Sequence, residues 1–128
     1  MMAAMVVATA RDAADLLAPL FADPGGETLA LLYLDDGRRV IAVAAHREAG
    51  RDAIVLPMAA IFRAALNHQA AGLIVAHNHP SGDPMPSRAD VAATRRLAQT
   101  AANLGIVLYD HLIFAGGECR SFRALGLL

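Results

Sequence analysis

Two histidines, a serine and an aspartate stand around a loop rich in Pro and Gly. The stretch reads Ala76-His77-Asn78-His79-Pro80-Ser81-Gly82-Asp83-Pro84-Met85-Pro86-Ser87-Arg88-Ala89-Asp90. The apolar run over residues 72–76 leads into it, and a helical pattern from Arg88 leads out. If the apolar run is a strand, His77 and His79 project to one side and Asn78 to the other. Two imidazoles on one face supply two corners of a tetrahedral metal site. Helical side chains lean toward the N-terminus, so Asp90, near the start of the next helix, can reach back over the loop. A His77, His79 and Asp90 set leaves the fourth position for water, as catalytic zinc sites do and structural ones do not. One Zn2+ per chain is therefore the expected cofactor, with its water made acidic enough to be deprotonated near neutral pH. That ligand set serves amide hydrolysis, ester hydrolysis and deamination equally. Ser87-x-x-Asp90 also reads as a helix capping box, with Ser at the N-cap and an acid three residues on. The two roles are compatible, because the serine can cap while the aspartate ligates.

The elements that must position this loop follow from periodicity and turn signals. Residues 1–10 have no strong pattern and read as a frayed end. Residues 11–22 predict an amphipathic helix with Leu16, Leu17, Leu20 and Phe21 on one face, stopped by Asp23-Pro24-Gly25-Gly26. Residues 28–34 predict a buried strand. Asp35-Asp36-Gly37 predicts a hairpin turn with Gly supplying positive φ, and residues 39–45 return as a second strand. A polar loop over 46–52 and a short strand over 53–56 precede a helix over 57–70. That helix has Pro57 at its first position and Ile61, Ala65 and Leu66 on its buried side. His68 near its end is placed to complement the helix dipole. After the loop come a helix over 88–104 closed by Gly105 and a strand over 106–115. A Gly116-Gly117 turn, a strand over 118–122 and a short tail that packs on the core complete the chain. The expected class is α/β, a mixed central sheet flanked by about three helices.

His77, His79, Pro80, Ser87 and Asp90 match, position by position, the H-x-H-P, then S-x-x-D motif of the JAMM (MPN, or JAB) metallopeptidases. The longer His77-Asn78-His79-Pro80-Ser81-Gly82-Asp83-Pro84 run, with Tyr109-Asp110-His111-Leu112-Ile113 and Ser121, resembles the RadC branch of that superfamily. The resemblance covers nearly the whole chain from Ala10 onward. It implies an MPN/JAB-like, cytidine-deaminase-like fold and hydrolysis of a peptide or isopeptide bond by metal-activated water. It also implies a glutamate upstream of the histidines as general base. Glu27, followed by Thr28-Leu29-Ala30-Leu31-Leu32, fits that context, and Glu48, in the predicted polar loop, does not. By the same resemblance Ser87 would hydrogen-bond the oxyanion of the tetrahedral intermediate. Asp110 and His111 read either as outer partners of the metal ligands or as a buried polar pair of a strand. The chain departs from the RadC pattern at Pro57-Met58-Ala59, where that branch usually has Pro-Arg-Glu.

Length and composition fit one compact unit. At 128 residues with 56% apolar content the chain can bury a sizeable core, and residues 1–128 are expected to form one domain. RadC proteins commonly carry an N-terminal helical region, and only about ten residues precede the first helix here, so that module is expected to be absent. No apolar run reaches the length of a membrane span, and the first residues lack the basic start of a signal peptide. A single cysteine, Cys119, can form no internal disulfide, which fits a reducing, cytoplasmic setting. The net charge of −1 lacks the basic footprint of nucleic-acid binders. It speaks against a nucleic-acid partner without eliminating one. Two further roles stay open through the RadC resemblance: a DNA-repair-associated protein, or an interaction scaffold with no physiological peptidase role. The peptide or protein substrate and the oligomeric state are not legible in the sequence.

Overall fold

A computed structural model of the chain describes residues 5–22, 26–48 and 56–128. Its elements, in chain order, are α1 (Ala10–Leu17), a 3-10 turn (Ala18–Phe21), β1 (Glu27–Leu34), β2 (Val40–Glu48), α2 (Met58–Asn67), β3 (Gly72–Asn78), α3 (Arg88–Asn103), β4 (Val107–Ala115) and β5 (Glu118–Ser121). Among the described residues the strands form one five-stranded sheet in the order β2-β1-β3-β4-β5. The β3–β4 pair is parallel and the others are antiparallel. The parallel pair needs a crossover, which α3 supplies. Among the described residues the fold is the expected mixed sheet with three α-helices.

The two central strands explain the architecture. Every residue of β1 and of β3 is buried, so both read as continuous apolar runs rather than alternating ones. Alternation still divides their side chains between two cores. Leu29, Leu31, Tyr33, Leu73 and Val75 pack against Ile61, Phe62 and Ala65 of α2 and Leu97 and Ala101 of α3. Ala30, Leu32, Leu34, Ile74 and Ala76 pack with Ala13 and Leu17 of α1 and with Leu112. A β-bulge in β4 interrupts the parallel ladder, since Leu73 pairs with Leu108 but Ile74 pairs with Asp110. The extra residue, Tyr109, lies over Gly72, where a Cβ would come within 2.2 Å of its ring.

Several expectations need correction. Residues 5–8 are not frayed: Val7 is buried, its N–H donates to the Arg38 carbonyl, and the Val40 N–H donates to the Met5 carbonyl. The first α-helix ends at Leu17 and tightens into a 3-10 turn containing Pro19, whose missing N–H cannot continue an α-helical ladder. The change of period turns Leu20 out to solvent. The hairpin turn is in place, but positive φ falls on Arg38 (60°) rather than on Gly37. The Asp35 carboxylate makes this possible by accepting from the N–H groups of Gly37 and Arg39. β2 runs on through Glu48, absorbing residues expected to be loop. The strand expected over 53–56 and the stop over 23–25 fall on residues outside the described ones, apart from Leu56, which is buried without being strand. On α2, Pro57 is the N-cap residue rather than the first helical one. Phe62, not Leu66, faces the core there, and Leu66 is exposed. The His68 ring lies 5.8 Å from that of Tyr33.

Candidate metal centre

The register fixes which side of the sheet carries the chemistry. Leu29 pairs with His77 across the β1–β3 ladder, and directly paired residues share a face. His77 therefore lies on the α2/α3 side, and the N-terminus of α3 closes over it. His79 continues the parallel β3–β4 ladder, its N–H donating to the Phe114 carbonyl. Ser87 caps α3: its Oγ accepts from the Asp90 N–H at 3.0 Å, and Asp90 Oδ2 accepts from the Ser87 N–H at 2.8 Å. Both halves of the capping box are present, and they hold the Asp90 carboxylate at the histidines. Asp90 lies 3.4 Å from His77 Nε2 through Oδ1 and 3.0 Å from His79 Nε2 through Oδ2. The two Nε2 atoms are 3.1 Å apart.

His77, His79 and Asp90 thus form a group that could hold a metal ion, one atom from each lying within 4.8 Å of the others. The fit can be tested on the hydrogen atoms. His79 Nδ1 is 2.8 Å from the Asp83 carbonyl, which can only accept, so Nδ1 carries the proton and neutral His79 offers a bare Nε2 to the cluster. Burial pushes the His77 pKa down against the pull of Asp90, favouring neutral imidazole. Burial alone would raise the Asp90 pKa. The bonds to Ser87 work against it, and the carboxyl is held below the usual carboxylate range. Neutral imidazole beside ionised carboxylate is the state a cation requires of its ligands. Nitrogen and carboxylate donors in this ratio suit zinc and its first-row neighbours.

The remaining predicted residues separate. Glu27 is buried at the start of β1. It stands two residues before Leu29, on the face and at the end of the sheet that carry His77. Asn78, pointing the other way as expected, brackets it: Asn78 Oδ1 accepts from the Thr28 N–H at 2.7 Å and Nδ2 donates to the Gly26 carbonyl at 2.8 Å. Ser87 is exposed at the mouth of the site. Of the Asp110-His111 pair, only His111 reaches the triad, its Nε2 lying 2.6 Å from His77 Nδ1. The His111 ring stacks on Phe122 with centroids 4.5 Å apart, and burial pushes its pKa well down. Asp110 pairs with Ile74, on the opposite face. Its carboxylate accepts from the N–H groups of His111 and Arg123 and from the Ser121 hydroxyl, tying β4 to the C-terminal turn. Thr94, which sequence reasoning passed over, lies with its Oγ 2.6 Å from His111 Nδ1 and 2.7 Å from the Asp90 carbonyl. The available signal was its spacing, one helical turn beyond Asp90 on the same face of α3.

A hollow of about 660 Å³ opens between α1 and the β4–β5 turn, lined by Phe21, Phe114 and Cys119 and touching the triad only through His79. Neither His77 nor Asp90 borders that hollow. Among the described residues no helix is long and apolar enough to cross a membrane.

Comparison with known proteins shows the family. A UPF0758 protein of Salinibacter ruber is 36% identical over 124 residues, which are 97% of this chain and 53% of that protein. One of Rhodobacter capsulatus is 41% identical over 102 residues, 80% of this chain and 48% of that protein. One of Methanococcoides burtonii is 34% identical over 122 residues, 95% of this chain and 53% of that protein. The chain spans about half the length of these relatives. The family model described as the RadC-like JAB domain matches residues 7–127. With that match added to the triad at the β3–α3 junction, the chain belongs to the RadC-like JAB domain family.

Proposed function

We propose that this chain is a zinc-dependent hydrolase of peptide or isopeptide bonds, with His77, His79 and Asp90 as the metal ligands. The observation that carries the reading is the convergence of two Nε2 atoms and one carboxylate within 4.8 Å, with the buried Glu27 on the same face. Bound there, zinc supplies a water acidified toward neutrality and a Lewis acid for the scissile carbonyl. Glu27 takes the proton of the attacking water as general base and returns it to the leaving amine. Asn78 holds the backbone on both sides of Glu27 and so orients it. Ser87 Oγ already accepts the Asp90 N–H, which leaves the hydroxyl proton available for the developing oxyanion. The choice of an amide bond rests on likeness to the JAB superfamily, since the ligand set serves other carbonyl substrates too.

Metal analysis should find about one zinc per chain, as a three-ligand site requires. His77→Ala or Asp90→Ala should abolish zinc binding. Glu27→Gln should retain the metal and lose hydrolysis in a peptide-library cleavage screen. A fully active Glu27→Gln protein would refute the base assignment, and a chain that takes up no zinc would refute the enzyme.

A further inference from the structure

His77, His111, Thr94 and Asp90 form a chain of hydrogen bonds whose direction can be derived. The chain ends at the Asp90 backbone carbonyl, 2.7 Å from Thr94 Oγ. A carbonyl only accepts, so the single hydroxyl proton of Thr94 points at it. Thr94 Oγ must then accept from His111 Nδ1, 2.6 Å away, and Nδ1 of His111 is the protonated nitrogen. With one proton on the ring, at Nδ1, His111 is left with a bare Nε2. That Nε2 must accept from His77 Nδ1 at 2.6 Å. With its proton on Nδ1, His77 turns a bare Nε2 toward His79 and Asp90. The opposite polarity would leave the Thr94 and Asp90 oxygens 2.7 Å apart with no proton between them.

We propose that Thr94 is a positioning residue of the metal centre: acting through His111, it holds His77 in the tautomer whose Nε2 carries no proton and is free to ligate. The inference deepens the preceding one, because it rests on His77 being a ligand. Asp90 contributes twice, by its side chain to the cation and by its carbonyl to the chain that orients the other ligand. Thr94 and Asp90 lie one turn apart on α3, so the helix that delivers the carboxylate also sets the histidine tautomer. A hydrogen-bonded partner on the non-ligating nitrogen is the general means by which proteins fix a ligating imidazole.

Long-range proton–nitrogen correlation spectra of the isotope-labelled, chelator-treated full chain read the tautomers directly, without metal or substrate. The expected result is Nδ1–H for both His77 and His111. Thr94→Val, which keeps the shape and removes the hydroxyl, should release that preference in both rings. It should also weaken zinc binding by about 10- to 100-fold in a competition titration, the usual effect of losing an outer partner. Thr94→Ser should restore both. A proton on His77 Nε2 in the unsubstituted protein overturns the inference, even if Thr94→Val does not fold. So do an unchanged His77 tautomer in Thr94→Val and a failure of Thr94→Ser to rescue. Should the unsubstituted chain bind no zinc, the enzyme reading falls, while the metal-free spectra still decide the tautomer.

Discussion

Cys119 illustrates how much a residue's neighbours decide. It lies half-buried on β5, and burial, with the Asp110 charge adding to it, pushes its thiol up to about 11 against the opposing pull of Arg120. At neutral pH it is a thiol rather than a thiolate, and the thiolate is the nucleophile. Alkylation of the native protein at neutral pH should therefore be much slower than after unfolding in urea. Equal rates would contradict the burial. The linkage sign is that of a raised acid: the folded state favours the protonated thiol. Its contribution to stability is complete below the ordinary thiol range and fades as the pH climbs through about 11.

At the scale of elements, the site is a junction: β3 brings the histidines, α3 brings the carboxylate, and β1 brings Glu27. The β1–β3 backbone ladder stops at Leu29 and His77. Beyond it the Asn78 amide takes over, satisfying the Thr28 N–H and the Gly26 carbonyl. Asn78→Ala should leave both groups without that partner, at a cost of about 1–3 kcal/mol for the buried Thr28 N–H and less for the part-buried Gly26 carbonyl. Urea unfolding of the metal-free protein checks the loss. A cost well below 1 kcal/mol in total would mean that the amide only reports the position of β1. If the proposed base is right, the variant should also keep its zinc while losing hydrolysis, since the ligands are untouched and only the seat of Glu27 is loosened. The capping box at Ser87 belongs to this scale too. A common helix-start device aims the Asp90 carboxylate at two histidines, so capping and ligation are one arrangement.

For the molecule as a whole, the buried polar cluster couples stability to pH. His77 and His111 are both held below the ordinary imidazole range, burial being the first cause in each. Unfolded imidazoles take up protons near pH ~6.5, while the folded ones resist. The unfolded state then binds more protons, and stability falls as the pH drops below that value. Asp90 acts lower down. Its depressed pKa contributes stability present above the ordinary carboxylate value of ~3.9 and lost as the pH falls below it. Urea midpoints of the chelated protein should decline from neutrality toward pH ~5, and a flat profile over that range would count against neutral buried imidazoles. Zinc that binds the folded state alone should raise the midpoints without flattening the decline, because its ligands stay unprotonated while the unfolded imidazoles still take up protons.

The amino-acid sequence determined what local rules can reach. The period-two placement of His77 and His79, the cap at Ser87, the apolar central strands and the hairpin at Asp35 follow from spacing and residue type, and the motif pointed to its family. Tertiary structure alone decided the partners. Alternation along β4 sends Asp110 to one face and His111 to the other, and the bulge at Tyr109 sets which face each one takes, so two adjacent residues that looked like one pair serve different ends. Thr94 gained its place only when α3 packed over β4, because a threonine on a helix face carries no local mark of what it will meet. The long contacts of Asn78 to Gly26 and Thr28 likewise span about fifty residues of chain, a separation at which no periodicity operates and only the assembled sheet decides what touches.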